Sequence, residues 1–273
     1  MGKLNIGIIG NGFVGQAIAF GFSPVARVRI YDVDPIRCVD SFDETVNRSD
    51  ILYVSVPTPM NSDGTINLDI VNNVCENIME ARTRKDNVIV LKSTMIPGTT
   101  DKLAEKFPSL DFVYNPEFLT ARNAIQDFAN SERNIVGGDP ELCYDFVRFF
   151  EQCFPNIPSI VTSSDESETI KYFSNTFLAY KVAYFNKLYD MCQAIGMDYD
   201  VVCEGVTADS RIGKSHTQVP GIDNDRGFGG TCFPKDLNSL IVQMESHGVN
   251  ADMLKEVWKY NEQIRKVIDW PVT

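Results

Sequence analysis

The chain has 273 residues, enough for one large or two modest domains, and its 44% hydrophobic residues can fill a substantial core. Its 25 basic residues against 37 acidic residues give a net charge of −12, which does not suit binding to nucleic acid or to an anionic membrane. No apolar stretch approaches the roughly 20 residues of a membrane span, and a strand pattern starts almost at Met1, so we expect a cytoplasmic protein without a signal peptide.

Short β-rich stretches alternate with helical patterns over the first 163 residues. The predicted strands are residues 4–9, 27–31, 51–56, 87–93, 112–115, 134–138 and 159–162. The helical patterns between them include residues 68–81 and 141–153. Strands that are apolar throughout and separated by helices are typical of a parallel sheet covered on both faces. The pattern therefore predicts an α/β fold with a doubly wound parallel sheet.

The pattern becomes helical from Asp165 onward. Residues 166–195 keep helical spacing without an internal Gly or Pro, and shorter helical patterns follow at 198–206, 235–247 and 252–268. The apolar faces of the long helix are broad enough to predict burial against more than one neighbour. We therefore predict two domains, an α/β domain over residues 1–164 and an all-α domain over residues 165–273.

A glycine pattern follows the first predicted strand and opens a helix. Gly10, Gly12 and Gly15 form GxGxxG in "IIGNGFVGQAI", in the context that a dinucleotide-binding fingerprint requires. Gly10 allows a tight turn, Gly12 lets a pyrophosphate approach the backbone, and Gly15 permits close packing of helix on strand. The alternative is a glycine turn in another nucleotide-binding fold.

An acidic residue ends the second predicted strand, where a ribose would bind. Asp32 lies 17 residues after Gly15, and a carboxylate there accepts from ribose hydroxyls and repels a 2′-phosphate. Asp34 is a neighbouring candidate, and Arg37 close by slightly weakens the preference. The pattern predicts a Rossmann-type domain that binds NAD rather than NADP. The predicted contacts are Gly10, Gly12, Phe13, Val14, Gly15, Asp32 and Arg37.

A second glycine-rich stretch, "GFGGTCFPKD", occupies residues 227–236. Pro234 fits only the first turn of a helix, because its ring fixes φ and it lacks an N–H. The stretch therefore predicts a loop that ends at a helix start, with Cys232 just outside the positive end of the helix. A thiol there ionises more easily than at its ordinary pKa of about 8.5. The alternative is a small packing residue beside a glycine turn.

The remaining cysteines and the histidines indicate neither a disulfide framework nor a metal site. The seven cysteines are scattered, odd in number and without a CxxC pair. The two histidines, His216 and His247, are too far apart in sequence to suggest a cluster. We expect reduced thiols and no bound metal.

Five further motifs, taken in order, resemble the UDP-glucose/GDP-mannose dehydrogenase family. They are "VSVPTP" (54–59), "KSTMIPGTT" (92–100), "NPEFLTARNAIQDF" (115–128), "IKYFSNTFLAYKVAYFNKL" (170–188) and "DSRIGKSHTQVPGIDNDRGFGGTCFPKDLNSLI" (209–241). The resemblance runs over almost the whole chain. It implies oxidation of the 6-alcohol of UDP-glucose, or of a related UDP- or GDP-sugar, to a carboxylate, with two NAD and one enzyme thiol.

The resemblance implies roles for three residues that act on the reacting carbon. Cys232 matches the family's nucleophile, which captures the aldehyde as a thiohemiacetal and then forms a thioester. Lys171 matches the cation that stabilises the oxyanion at C6. Asn175 lies four residues later, on the same face of the predicted helix. Without the resemblance, a solvated lysine and a capping asparagine would be the preferred interpretation of this pair.

The resemblance also implies roles in handling water and protons. Asp236 matches an aspartate that holds and activates the hydrolytic water together with Thr94. In the first helical turn the same carboxylate also complements the helix dipole, and the two roles are compatible. Glu117 matches a carboxylate implicated in proton transfer or in organising water.

Further binding residues and partners follow from the resemblance. The cofactor contacts extend to Pro57, Thr58 and Thr94. Arg211 matches a substrate-binding arginine that family dimers supply across the subunit interface, and the helical half matches the family's dimer core, so a homodimer is expected. The implied substrate contacts are Glu117, Phe118, Leu119, Lys171, Asn175, Arg211 and Gly229.

Two departures from the family pattern keep alternatives open. Ala121 stands where many members carry a second glutamate that supports the active-site water network. Full-length relatives also continue into a second α/β domain that grips the nucleotide, whereas this sequence stops at Thr273. A non-catalytic NAD- or nucleotide-sugar-binding module is therefore an alternative, as is one lobe completed by a separate nucleotide-binding chain. A hydroxyacid dehydrogenase of the related two-domain type is a third, and it would not need the thiol.

Overall fold

The computed structural model describes residues 4–84 and 86–270. A seven-stranded sheet has the strand order β2-β1-β3-β4-β5-β6-β7. The strands are β1 (Asn5–Ile9), β2 (Arg27–Tyr31), β3 (Ile51–Val54), β4 (Val88–Leu91), β5 (Asp111–Tyr114), β6 (Asn134–Gly138) and β7 (Ser159–Thr162). Strands β1 to β5 are parallel, with Ile8 of β1 opposite Ile30 on one side and Tyr53 on the other. The predicted Rossmann-type α/β fold is confirmed.

The last two strands run against the other five. Strand β6 pairs antiparallel with β5, through Val113 opposite Gly138, and β7 pairs parallel with β6. The predicted parallel sheet is therefore confirmed for β1 to β5, whereas β6 and β7 run in the opposite direction at this edge. A short apolar strand such as "NIVGG" has the same composition in either direction, so only its pairing partner decides its orientation.

Helices cover both faces of the sheet. They are α1 (Phe13–Phe22), α2 (Phe42–Asn47), α3 (Asp69–Ala81), α4 (Thr99–Lys106), α5 (Ala124–Ala129) and α6 (Pro140–Cys153). Alternate strand residues enter two separate cores. In β3, Tyr53 packs with Phe22 and Phe146 on one face, while Leu52 belongs to the core on the other face, as does Phe112 of β5. This two-sided burial explains why the strands are apolar throughout.

The chain divides into two compact units. The first comprises Met1–Thr58 and Asn67–Lys171, and the second comprises Pro59–Ile66 and Tyr172–Thr273. Helix α7 (Ser164–Ile195) starts in the first unit and ends in the second. The predicted boundary between residues 164 and 165 lies at the start of this helix. The division into domains 1–164 and 165–273 remains a proposal.

The second unit is helical over the residues described. After α7 it contains α8 (Tyr199–Thr207), α9 (Phe233–Ser246) and α10 (Asp252–Ile264), and a single antiparallel bridge joins Met60 to Ile66. The helices α9 and α10 pack together. The helices predicted in this half are confirmed, except that α10 ends at Ile264. Beyond it Arg265 is extended, because the following residues bind a neighbouring loop.

Helix α7 is 32 residues long and has one buried and one exposed apolar face. Tyr172, Ala179 and Phe185 are buried. The exposed apolar residues of α7 are Phe173, Phe177, Tyr180, Tyr184, Met191 and Ile195. Neither α7 nor any other described helix combines the length and hydropathy that crossing a bilayer requires.

Candidate active site

The glycine loop after β1 has the geometry of a dinucleotide site. Gly10 has φ of +96°, which glycine adopts without strain. A Cβ on Gly15 would lie 2.1 Å from the carbonyl oxygen of Gly10, whereas a Cβ on Gly12 would meet nothing within 4 Å. Gly12 is the N-cap of α1, so open space adjoins the positive end of that helix. A pyrophosphate fits this position.

Asp32 lies directly beside this loop. Its Oδ2 accepts a hydrogen bond from the Asn11 N–H at 2.6 Å, and its Oδ1 accepts one from the Asp34 N–H at 2.8 Å. Arg37 pairs with Asp34 at 3.5 Å. The carboxylate next to the pyrophosphate position fits a ribose diol and opposes a 2′-phosphate. The residues present therefore fit NAD, with Phe13 and Val14 in the first turn of α1.

The ends of β3 and β4 are tied together at the carboxyl edge of the sheet. Thr58 Oγ1 donates to the carbonyl of Thr94 at 2.9 Å, and Ser93 Oγ donates to the carbonyl of Val56 at 2.6 Å. Pro57 is exposed between them. In parallel sheets ligands bind at this edge, so the predicted contacts Pro57, Thr58 and Thr94 share the edge with the glycine loop.

Lys171 and Glu117 form a buried ion pair in the first unit. Lys171 Nζ donates to Glu117 Oε1 at 2.8 Å and to the Glu117 carbonyl at 2.5 Å. Glu117 Oε2 accepts from the Leu119 N–H at 2.6 Å, and the Phe118 ring lies 5.4 Å from Lys171 Nζ. Both charged side chains are buried. A solvated Lys171 is therefore excluded, and the pairing itself was not predicted.

Sequence reasoning missed Lys92, which binds the same segment from the end of β4. Its Nζ donates to Asn115 Oδ1 at 3.0 Å and to the Pro116 carbonyl at 3.3 Å. Burial lowers the pKa of Lys92 to about 7, and Lys171 contributes to the lowering while Glu117 opposes it. A lysine at the end of the otherwise apolar "VIVLK" was the available signal.

The thiol in the second unit lies at the start of α9, as predicted. Cys232 is the N-cap of this helix, Pro234 lies in the first turn, and the Asp236 N–H donates to the Cys232 carbonyl at 2.8 Å. Cys232 is half-buried, and its Sγ lies 3.9 Å from Thr231 Oγ1. The thiol is therefore placed where a helix dipole favours an anion.

Asp236 is completely buried and both of its oxygens accept hydrogen bonds. Oδ2 accepts from Asn175 Nδ2 at 2.6 Å, and Oδ1 accepts from Lys235 Nζ at 2.6 Å. The structure thus brings Asn175 and Asp236 together one helical turn after Cys232. Lys235 was not predicted, although it stands in the "CFPKD" motif.

The other predicted substrate residues lie outside these two clusters. Arg211 is exposed, and its Nη2 binds Asp209 Oδ2 at 2.6 Å. Gly229 lies against Arg265, whose Nη2 would be 2.1 Å from a Cβ added there. Over residues 4–84 and 86–270, no group of three or more His, Cys, Asp or Glu side chains could hold a metal ion.

Family models account for most of the chain. The NAD binding domain of the UDP-glucose/GDP-mannose dehydrogenase family matches residues 32–152, and the central domain of that family matches residues 165–263. The chain belongs to this family. Its NAD cofactor follows from that membership together with the fit of the glycine loop and Asp32.

Individual relatives agree with the family assignment. The UDP-glucose 6-dehydrogenase TuaD of Bacillus subtilis is 36% identical over 228 residues, which cover 81% of this chain and 48% of the relative. The UDP-glucose 6-dehydrogenase of Rickettsia conorii is 32% identical over 234 residues, which cover 84% of this chain and 53% of the relative. This chain thus spans about half the length of these curated relatives.

A solved relative shares the fold over nearly all of the chain. The structure of a UDP-glucose dehydrogenase from Pyrobaculum islandicum is 29% identical, with a TM-score of 0.85, and the match covers 96% of this chain and 68% of that one. The family assignment therefore rests on matching sequence and on a shared fold.

Proposed function

We propose that this chain acts as an NAD-dependent nucleotide-sugar 6-dehydrogenase. Its substrate would be UDP-glucose or a related UDP- or GDP-sugar, oxidised at the 6-alcohol to the carboxylate through covalent intermediates on Cys232. The observation that carries the proposal is Cys232 at the N-cap of α9, one turn before the buried Asp236, which binds Asn175 and Lys235. NAD, when bound, supplies the acceptor for the hydride removed from C6 in each of the two oxidations.

Cys232 supplies the nucleophile. Its thiolate adds to the C6 aldehyde to form a C–S bond, and the carbonyl oxygen takes a proton to give a thiohemiacetal. Loss of the C6 hydride and of the hydroxyl proton gives a thioester. Water then attacks the thioester carbonyl and the thiolate leaves, so the thiol is regenerated and the acid is released.

Lys171 supplies the positive charge at the C6 oxygen. As a buried ammonium beside Glu117 it strongly favours an oxyanion, because the low local dielectric strengthens the attraction. Glu117 keeps the ammonium oriented and can accept a proton when the alcohol or the water is deprotonated.

Asp236 orients the groups around the thiol. Because one oxygen is bound by Asn175 and the other by Lys235, the carboxylate fixes the side-chain amide of Asn175. With its remaining lone pairs Asp236 can also hold the hydrolytic water, and Thr94 is proposed as its partner in that task.

We also propose a homodimer in the cytoplasm, with Arg211 contributing to the partner's substrate site. The exposed apolar residues of α7 form a stripe along the second unit, and a stripe of this kind is normally paired. Over residues 4–84 and 86–270 no two cysteines are joined by a disulfide bond, as is typical of a reducing compartment.

A binding module without catalysis is the second candidate. Ala121, where many family members carry glutamate, is exposed on the loop after β5 and favours this alternative, because it removes a carboxylate from the proposed water network. A separate nucleotide-binding chain would then be the partner that completes the site.

Product analysis with a thiol variant tests the proposal. The chain is incubated with NAD and a panel of UDP- and GDP-sugars, and the products are identified by mass spectrometry. We expect a uronic acid from the parent and none from Cys232→Ser, with NAD affinity unchanged, because serine forms an alkoxide far less readily. Cys203→Ser, a half-buried thiol of the same unit, is the control and should retain activity. Acid formation by Cys232→Ser at the parent rate would exclude the thiol mechanism, and no acid from the parent would favour the binding module.

A further inference from the structure

The loop that leads into Cys232 is held by the last turn of α10. The buried side chain of Asn261 binds the main chain of Phe228 in both directions. Its Oδ1 accepts from the Phe228 N–H at 2.7 Å, and its Nδ2 donates to the Phe228 carbonyl at 2.9 Å. The Asn261 amide thus pairs with both the N–H and the carbonyl of the buried Phe228, as an adjacent β-strand would do.

Charged residues beyond α10 hold the same loop on both sides of Phe228. Arg265 Nη2 donates to Asp223 Oδ2 at 2.8 Å and to Asp269 Oδ2 at 3.1 Å. The other oxygen of Asp269 accepts from the Gly230 N–H at 3.0 Å. Arg265 is buried, so its guanidinium links the two ends of the loop away from solvent.

A reciprocal contact runs from the loop to the segment after α10. The carboxylate of Asp225 accepts from the N–H of Lys266 at 2.9 Å and from the N–H of Val267 at 2.8 Å. Residues 223–230 and residues 261–269 therefore hold one another, with donors and acceptors on both sides.

The glycines of the loop are explained by this contact. A Cβ on Gly227 would lie 2.3 Å from Asn261 Oδ1, and a Cβ on Gly229 would lie 2.1 Å from Arg265 Nη2. At Gly227 φ is also +70°. The sequence pattern suggested bare backbone for close approach to a ligand, but here the backbone also approaches the side chains of Asn261 and Arg265.

We propose that Asn261 and Asp269 are positioning residues for Cys232. They hold residues 223–230 so that the chain enters α9 with the thiol in one orientation. Phe228 lies four residues before Cys232, and small displacements of a nucleophile cost much of its rate. We call the contacts that residues 261–269 make with residues 223–230 the clamp. The expected effect on turnover rests on the proposed function of Cys232, whereas the clamp itself does not.

The test compares Asn261→Ala and Asp269→Ala with Gln263→Ala in the full chain. Gln263 is an exposed amide on the same helix, so its removal is the matched control. The rate of amide hydrogen exchange in peptides covering residues 226–231 measures how firmly the clamp holds the loop. Alkylation of Cys232 by iodoacetamide, followed by mass spectrometry of its peptide, reports the thiol. Turnover with NAD and UDP-glucose reports the reaction.

For Asn261→Ala we expect about tenfold faster exchange of the loop, because two hydrogen bonds are lost. Alkylation of Cys232 should be about fivefold faster because the loop opens more often. Labelling of Cys38, a half-buried cysteine of the first unit, should stay constant. The value of kcat should fall about tenfold with the KM for NAD unchanged. Asp269 is partly exposed, so Asp269→Ala should fold normally and show a smaller effect centred on Gly230.

Loop exchange within twofold of the parent in both variants would exclude the clamp. Faster exchange with unchanged alkylation of Cys232 would show that the loop is held but does not position the thiol, and would also overturn the proposal. If the parent makes no acid, the proposed reaction fails, and the exchange and alkylation results still decide whether the loop controls Cys232.

Discussion

At the scale of single residues, we predict that the carboxylate of Asp32 sets the preference for NAD over NADP. Both oxygens already accept backbone N–H groups of the glycine loop and of the following turn, so the side chain is held ready for a ribose. Loss of one charge-assisted hydrogen bond costs about 1.5–3 kcal/mol. We expect Asp32→Ala to weaken NAD binding about tenfold or more by calorimetry. The exposed Asp43→Ala should bind like the parent, and an unchanged affinity in Asp32→Ala would refute the assignment.

Lys92 makes stability depend on pH in the alkaline range. Burial lowers its pKa from 10.5 to about 7 in the folded state, so the unfolded chain binds more protons between these values. The contribution of Lys92 to the free energy of unfolding therefore rises as the pH increases from about 7 towards 10.5. The rise is up to about 1.4 kcal/mol per pH unit. Urea unfolding at pH 7 and 9 should show a smaller rise for Lys92→Met than for the parent. The exposed Lys259→Met should keep the parent slope, and an equal slope in Lys92→Met would contradict the prediction.

At the scale of elements, Glu168 anchors the first turns of α7 to the start of α4. Its carboxylate accepts from the Gly98 N–H at 2.7 Å, the Thr100 N–H at 2.9 Å and Thr100 Oγ1 at 2.7 Å. Glu168→Ala leaves these donors without their acceptor inside the protein. We expect a loss of about 2–4 kcal/mol in the free energy of unfolding, measured by urea titration. Glu151→Ala, an exposed glutamate of α6, should change it little. A loss below half a kcal/mol in Glu168→Ala would mean that water replaces the carboxylate.

Glu168 also connects this anchor to the proposed catalytic lysine. Lys171 follows it by three residues on the same helix, so the anchor determines where Lys171 Nζ meets Glu117. Burial raises the pKa of Glu168 to about 7, with the bonds from Thr100 and Gly98 opposing the shift. Between pH 4.5 and about 7 the folded state therefore binds more protons at Glu168 than the unfolded chain does. The contribution of Glu168 to the free energy of unfolding falls as the pH rises through this range.

At the scale of the whole molecule, association through α7 is the main expectation. Tyr184 of α7 and Tyr144 of α6 are equally exposed, at 57% each, so they form a matched pair. A charge in a buried apolar interface is strongly unfavourable. We expect Tyr184→Asp to convert a dimer into a monomer in sedimentation experiments at micromolar concentration, while Tyr144→Asp remains a dimer. A parent that sediments as a monomer would rule out the dimer proposal. A Tyr184→Asp variant that remains a dimer would show that the interface does not include this face of α7.

Local patterns in the sequence predicted the elements and several site positions. The bounds of β2, β6 and β7 agree with the prediction. The glycine turn at the start of α1, the position of Asp32 just after β2 and the helix start after Cys232 also agree. These features depend on residues close together in the chain, where glycine and proline restrict the backbone and side-chain periodicity reports burial. The short helices α2, α4 and α5 were not predicted, because six to eight residues carry too little periodicity.

Tertiary structure decided the contacts between distant segments. The antiparallel direction of β6, the pairing of Lys171 with Glu117, the role of Lys92 and the hold of Asn261 on Phe228 all join residues well separated in sequence. A lysine in a motif carries no information about which buried oxygen it will meet. The protein's family, cofactor and elements could therefore be inferred from its sequence, whereas the arrangement of charges around Glu117 and of the loop before Cys232 arises only when folding buries those groups and each must find a partner.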